Sequence, residues 1–331
     1  MGLLSGIYGI GLRIARLLKK PKKLPYKVIS IGNITLGGTG KTPAVIALAE
    51  EAKKRGFHPC ILTRGYKGNA KDPCFVTKGE EPLLNVSQAG DEAYLMSEAL
   101  SRVPIIKCID RYEGGMFAIN SKLLTLTSRL IFILDDGFQH WSLHRDKDIV
   151  LIDATNPFDN GKLFPEGKLR EPLSALKRAD IVVLSKTDMA DKKRISACIS
   201  KIKRYNADVP IYASSHKPAA LINASGKAES IDKLKERRVY AFSGIANPSH
   251  FEILLRSMGA EIVRSNRFRD HHHYPQSDID KMIKEAEGLD IITTEKDMVK
   301  LKGRSLPDNI FALRIKFAIE GNFYDDIFGN L

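Results

Sequence analysis

Long apolar runs are missing from this 331-residue chain. No stretch of about 18 uncharged apolar residues occurs, so no segment qualifies as a transmembrane span by that criterion. Cysteine is scarce: Cys60, Cys74, Cys108 and Cys198 are widely spread and form no C-x-x-C pair. That pattern argues against structural zinc and predicts reduced thiols in a cytosolic protein. Internal repeats and low-complexity tracts are absent as well. Negative charge is in deficit, with 39 Asp and Glu against 52 Lys and Arg, for a net charge of +13. Such an excess implies an anionic partner: nucleic acid, anionic lipid or a phosphorylated substrate. What remains, 43% hydrophobic and 27% charged, is the composition of a soluble globular protein. The length suffices for two domains and a substantial core.

The N-terminus departs from that average. Leu3, Ile7, Ile10, Ile14 and Leu17 share one helical face, flanked by Arg13, Arg16 and Lys20 and followed by Lys22, Lys23 and Lys27. A signal peptide carries its charge before its apolar part, so this polarity does not suit secretion. An interfacial helix with a polybasic follow-on fits an anionic membrane surface, whereas Tyr8 and Leu12, off the apolar face, fit a helix packed on its own domain.

Apolar, β-branched strands are predicted at 28–31, 59–63, 74–76, 105–107, 130–134, 149–152 and 181–184, with helices at 43–54, 92–101 and 111–124. The alternation argues for a mostly parallel sheet covered on both faces. A break rich in Ala, Ser, Asn, Gly and Lys is expected near 216–230. A second αβ pattern begins at 239–244 and continues with a helix from Pro248, a strand at 261–263, a helix at 278–287 and strands at 290–293 and 310–315. Three segments are expected: 1–27, 28–216 and 217–331.

The strand at 28–31 leads into Gly37-Gly38-Thr39-Gly40-Lys41-Thr42, a glycine-rich turn that opens a helix. Glycines let backbone N–H groups converge on a polyphosphate, and a helix N-terminus adds positive potential. Lys41 can reach the outer phosphates and Thr42 can hold Mg²⁺. Thr35 stands where the full pattern has its first glycine.

Several other segments carry candidate chemistry. Asp135 and Asp136 end an apolar strand, where a carboxylate can face Mg²⁺ beside the phosphates; adjacent side chains diverge, so one of the pair is expected to reach the metal. Asp91 reads either as a helix cap or as a general base towards a hydroxyl. Arg170 and Glu171 read as a charge-neutralising group and a metal aid, or as a surface salt bridge. The tract Asp270-His271-His272-His273 suits proton chemistry, a metal or a solvated loop. Ser185-Lys186-Thr187-Asp188 is similar to the Asn-Lys-x-Asp guanine reader of GTPases, with Ser in the first position. It keeps open a P-loop GTPase or ATPase switch acting on a protein or nucleic-acid partner.

Taken in order, Gly32 to Pro43, Thr63-Arg-Gly-Tyr66, Gly90-Asp-Glu92, Leu134-Asp-Asp-Gly-Phe-Gln-His140, Leu169-Arg-Glu-Pro172, Phe242 to Pro248, Asp270-His271 and Thr294-Glu-Lys-Asp297 resemble the tetraacyldisaccharide 4′-kinases, the lipid A 4′-kinases of Gram-negative bacteria. Thr35 in the glycine loop is part of that resemblance, whereas Ala93 stands where the family has proline.

The resemblance implies an α/β, P-loop NTPase-like, mostly parallel sheet sandwiched by helices, with a second, smaller α/β domain that closes over the active site. It implies transfer of the ATP γ-phosphate to the 4′-hydroxyl of a lipid-linked tetraacyl glucosamine disaccharide 1-phosphate, giving lipid IVA. By motif, Thr35, Gly37, Gly38, Thr39, Gly40, Lys41 and Thr42 hold the nucleotide. Thr42, Asp135 or Asp136, and Glu171 serve Mg²⁺, and Arg170 neutralises charge. Asp91 becomes the base, paired with His271 rather than His272. The implied setting is the cytoplasmic face of the inner membrane, with no nucleic acid and no obligate protein partner.

Overall fold

The computed structural model describes residues 3–121 and 129–329. The chain falls into two compact units, Met1–His216 with Phe317–Leu331, and Lys217–Lys316. In chain order the first unit carries α1 (Leu3–Leu17), β1 (Lys27–Asn33), α2 (Lys41–Lys54), β2 (His58–Thr63), β3 (Cys74–Thr77), α3 (Val86–Ala89) and α4 (Asp91–Ala99). It continues with β4 (Ile105–Lys107), α5 (Arg111–Asn120), β5 (Leu130–Asp135), β6 (Lys147–Asp153), β7 (Ile181–Ser185), α6 (Lys192–Lys203) and the start of β8 (Ile211–Asn223).

The strands lie in the order β3-β4-β2-β5-β1-β6-β7-β8, parallel throughout except for β3. Their near-continuous apolar sequence follows from burial on both faces. Ile29, Ile31, Ile131, Ile133, Ile149 and Leu151 meet Ala44, Val45, Leu48, Ala49 and Ala52 of α2 on one face. On the other, Val28, Phe132 and Leu134 meet Ala118 of α5, and Val150 and Ile152 meet Cys198 and Ile202 of α6. β1 lies between β5 and β6, so the winding reverses about it. Such a switch point opens a crevice beyond the carboxyl ends of the strands; there Asn33, Asp135, Asp153 and Ser185 end β1, β5, β6 and β7.

Several boundaries differ from the sequence expectation. α2 starts at Lys41 rather than at 43, because Gly40 turns the chain with φ 87°. A short helix, α3, precedes α4; its Asn85 and Gln88 form a reciprocal cap. The helix expected over 111–124 is α5, Arg111–Asn120, and positions 122–124 lie outside the described residues. β8 runs through the break expected at 216–230 as far as Asn223.

The expected second domain of 217–331 ends early, since Phe317–Leu331 group with the first unit. The reason is apolar: in helix α10 (Phe323–Phe328), Phe323, Ile327 and Phe328 join the core beneath α2. Phe328 stacks on Phe57 with ring centroids 5.3 Å apart, and Asp325 pairs with Arg55 at 2.8 Å.

α1 docks by its polar side. Ser5 Oγ donates to the Leu163 carbonyl at 2.7 Å, Tyr8 donates to the Arg170 carbonyl at 3.2 Å, and the Tyr8 ring meets Phe164 edge-on. Ile7, Ile10, Ile14 and Leu17 are left exposed, by 53% or more; the Leu3 side chain lies outside the described residues. Among the described residues no helix is long and apolar enough to cross a membrane.

The second unit repeats the αβ plan with β9 (Ala228–Glu229), β10 (Arg238–Ser243), α7 (Pro248–Ser257), β11 (Glu261–Arg267), α8 (Gln276–Ala286), β12 (Asp290–Thr294), α9 (Glu295–Met298) and the first part of β13 (Ile310–Ile319). β11, β10, β12 and β13 are neighbours in that order and parallel. Tyr240, Phe242 and Tyr274 fill one side of this sheet with Ile279 and Met282 of α8. Phe251, Leu254 and Leu255 of α7 cover the other.

Candidate active site

The glycine loop leaves the carboxyl end of β1 and enters α2. Gly37 (φ 117°) and Gly40 (φ 87°) hold left-handed conformations that L side chains rarely adopt. A methyl group on Gly40 would also come within 2.6 Å of the His216 imidazole. Lys41 and Thr42 are the first residues of α2, where unpaired N–H groups and the helix dipole favour an anion. Thr35 is 6% exposed and bridges to Leu169, so it anchors the start of the loop to the segment that carries Arg170.

Asn33, which the sequence reading passes over, ties the loop together. Its Nδ2 donates to the Thr35 carbonyl at 2.7 Å and the Thr39 hydroxyl at 3.1 Å. Its Oδ1 accepts from Arg170 at 2.9 Å. Just before it, Gly32 is required because a Cβ would sit 2.6 Å from that of Phe138. This contact explains why the glycine before Asn33 and the Asp-Asp-Gly-Phe segment occur together.

Asp135 and Asp136 take different partners. Asp136, at φ 52°, accepts two bonds from Arg170, at 2.6 and 2.9 Å, and lies 3.5 Å from Lys41 Nζ. Burial would raise its pKa, but Lys41 and Arg170 outweigh burial and hold it well below the carboxylate range. Asp135, 7% exposed, accepts from the neutral Thr63 hydroxyl at 2.9 Å. Burial, and then the charge of Asp136, push its pKa up to about 6. Glu171 is 3% exposed and accepts from Gln139 and Arg178, each at 2.9 Å; Arg178 stacks over Phe138. Arg170 and Glu171 therefore belong to two separate networks, a half-buried one around Asp136 and a buried one around Glu171, rather than to a salt bridge with each other.

Among the described residues no group of three or more His, Cys, Asp or Glu side chains is placed to hold a metal ion. Mg²⁺ needs fewer protein ligands, since it keeps several waters and shares phosphate oxygens. The Thr42 hydroxyl and the buried Asp135 carboxylate, whose bonded partner is uncharged, supply hard oxygen donors that fit it.

Asp91 is not the helix cap. Gly90 occupies that position with φ 89°, and a Cβ there would meet the Tyr66 carbonyl at 2.4 Å. Asp91 is thus the first residue of α4, its entry fixed by the close approach of Gly65 and Tyr66. The Thr63-Arg-Gly-Tyr66 and Gly90-Asp-Glu92 segments are one packed unit.

His271 belongs to the second unit. Its backbone is left-handed, at φ 60°, and its N–H donates to the Gly244 carbonyl at 3.1 Å. Its Nε2 lies 3.2 Å from Lys296 Nζ and 3.9 Å from Asp270. His272 is used differently: it stacks on Phe268 and bonds Asp278 at 2.8 Å. Asp297, fully buried, accepts from Gly244 N–H, Tyr274, Thr294 and Lys300. It joins the Phe242 to Pro248, His271 to Tyr274 and Thr294 to Asp297 segments around one carboxylate.

The comparisons agree along the length of the chain. The sequence pattern of the tetraacyldisaccharide-1-P 4′-kinase family matches residues 1–330. The chain is 37% identical to the tetraacyldisaccharide 4′-kinase of Halothermothrix orenii over 347 aligned positions, covering 97% of this chain and 89% of that protein. It is 36% identical to the protein of the same name from Aquifex aeolicus, over 91% of this chain and 86% of that one. The crystal structure of LpxK from Aquifex aeolicus in complex with ATP superposes with a TM-score of 0.78 at 33% identity, covering 98% of this chain and 96% of that one.

Proposed function

The chain belongs to the tetraacyldisaccharide-1-P 4′-kinase family, and we propose on that footing how its residues divide the work of the reaction. The protein is a kinase of lipid A biosynthesis: it moves the γ-phosphate of ATP to the 4′-hydroxyl of a tetraacyl disaccharide 1-phosphate. Family membership favours this reaction over a GTPase or ATPase switch.

One observation carries the assignment of roles: Lys41, Asp136 and Arg170 gather where the glycine loop meets the ends of β1 and β5. Phosphoryl transfer asks chiefly for positioning and charge neutralisation. The N–H groups of Gly37, Gly38, Gly40 and Lys41 receive the phosphates, Lys41 spans the outer pair, and Arg170 offsets charge on the transferring group. Asn33 keeps Arg170 and the loop in register. Thr42 and Asp135, with Asp136 and Glu171, would hold Mg²⁺, which would supply charge neutralisation at the phosphates. As the new P–O bond forms and the bond to the ADP oxygen breaks, the hydroxyl proton passes to Asp91. Asp270-His271 of the second unit is assigned a share in that proton transfer.

The exposed stripe of α1 and its flanking cations seat the protein on the anionic cytoplasmic face of the inner membrane, where an acylated acceptor resides. Incubation with labelled ATP, Mg²⁺ and tetraacyl disaccharide 1-phosphate in detergent tests the reaction. Label entering the lipid supports it; ATP consumed with no label in the lipid overturns it.

A further inference from the structure

Ser185-Lys186-Thr187-Asp188 is similar to a guanine-reading pattern except at its first position, yet two of its side chains turn under the glycine loop. Ser185 is fully buried and Lys186 is 4% exposed. A lysine buried this deeply must find partners for its charge. Its Nζ donates to the Gly38 carbonyl at 2.8 Å and to the Asp153 carboxylate. Asp153, the last residue of β6, is fixed in turn: its other oxygen accepts from the N–H and hydroxyl of Thr155, at 2.9 and 2.6 Å. Ser185 Oγ donates to the next loop carbonyl, that of Thr39, at 2.9 Å. Lys186 does this from a left-handed backbone, φ 58° and ψ 37°, a strained conformation for a residue with a side chain.

We propose that Lys186 and Ser185, backed by Asp153, are positioning residues that set the peptide planes of the glycine loop to receive the phosphates of ATP. In a trans peptide the carbonyl and the following N–H point in opposite directions. Drawing the Thr39 carbonyl down to Ser185 turns the Gly40 N–H the other way. Drawing the Gly38 carbonyl to Lys186 fixes the turn in which Thr39 N–H closes on the Gly37 carbonyl at 3.1 Å. Asn33 grips the same loop through the Thr39 hydroxyl. The loop is thus held at adjacent peptides by the ends of β1 and β7, with β6 supplying the countercharge. This rests on the reading that ATP binds this loop.

Steady-state kinetics separate positioning from mere stability. Lys186→Met alone strands the Asp153 charge and lowers stability, so the informative variants are Ser185→Ala and the double variant Lys186→Met/Asp153→Asn. In both, KM for ATP should rise by about tenfold or more, the loss expected for a missing bond to the loop. KM for the lipid acceptor and the thermal midpoint should stay near those of the unaltered protein. An unchanged KM for ATP in the folded double variant overturns the proposal. Equal rises in KM for ATP and for lipid overturn it too. An unaltered protein whose turnover does not saturate with ATP overturns the reading of the loop itself, and this proposal with it.

Discussion

Arg170 closes on the Asp136 carboxylate with two bonds, of 2.6 and 2.9 Å, while Asn33 holds the same guanidinium at 2.9 Å. Two prongs and a third anchor make the position depend on a planar fork rather than on charge alone. Arg170→Lys is therefore expected to lower kcat/KM by about two orders of magnitude, close to the loss in Arg170→Ala. Near-complete rescue by lysine would show that a point charge suffices.

Asp91 is the first residue of α4, one position after the cap at Gly90. Asp91→Asn should lower kcat by about 10²- to 10⁴-fold with little change in the dissociation constant for ATP. His271→Ala should behave alike. His272→Ala should instead lower the thermal midpoint, because His272 stacks on Phe268 and bonds Asp278. Equal kinetic losses in the two histidine variants, without a stability difference, would reject the choice of His271.

Asp135 sets a pH dependence of known sign. Burial raises its pKa from 3.8 to about 6, so the folded chain holds that proton more tightly than the unfolded one. Its stabilising contribution is present below the unfolded value and is lost as pH rises through about 6. Without nucleotide or metal, Asp135→Asn should stabilise the protein at about pH 8 by on the order of 3 kcal/mol, with the gain gone near pH 4. Denaturant titrations of both proteins across that range read it directly. The same variant should lose kinase activity.

The apolar stripe of α1 predicts a separation of binding from folding. Ile7, Ile10 and Ile14 are 60%, 60% and 53% exposed, so replacing all three by Ser should leave the thermal midpoint within about 1–2 °C. Sedimentation with vesicles containing anionic lipid should fall several-fold. Tyr8→Phe, which removes the bond to the Arg170 carbonyl, should leave vesicle binding intact. Undiminished sedimentation of the triple variant would remove α1 from membrane contact.

Much of the first unit was legible because its signals are local. Continuous β-branched runs announced the buried parallel strands, and Gly40 followed by Lys41-Thr42 marked a loop entering a helix. Asp135 and Asp136 stood out because charge rarely ends so apolar a strand. The supports of the site were not legible. Asn33 acts through Arg170, Lys186 through Gly38 and Arg178 through Phe138, partners distant in sequence, and no periodicity encodes such a contact. β8 was hidden by composition: Ala, Ser, Asn, Gly and Lys over 216–230 read as a break, and only part of the strand is buried. Asp91 looked like a cap because Asp commonly caps helices; the need for a side-chain-free residue at Gly90 comes from the neighbouring Tyr66 backbone.

The return of Phe317–Leu331 to the first unit bears on how the protein is made. The second unit is an insertion, encoded whole before the last stretch of the nucleotide-binding unit has been translated. It can acquire its core while the ribosome still holds Phe323, Ile327 and Phe328. A stop codon after Lys316 would spare the inserted unit and open the core beneath α2, so C-terminal truncation should strike the unit that binds ATP.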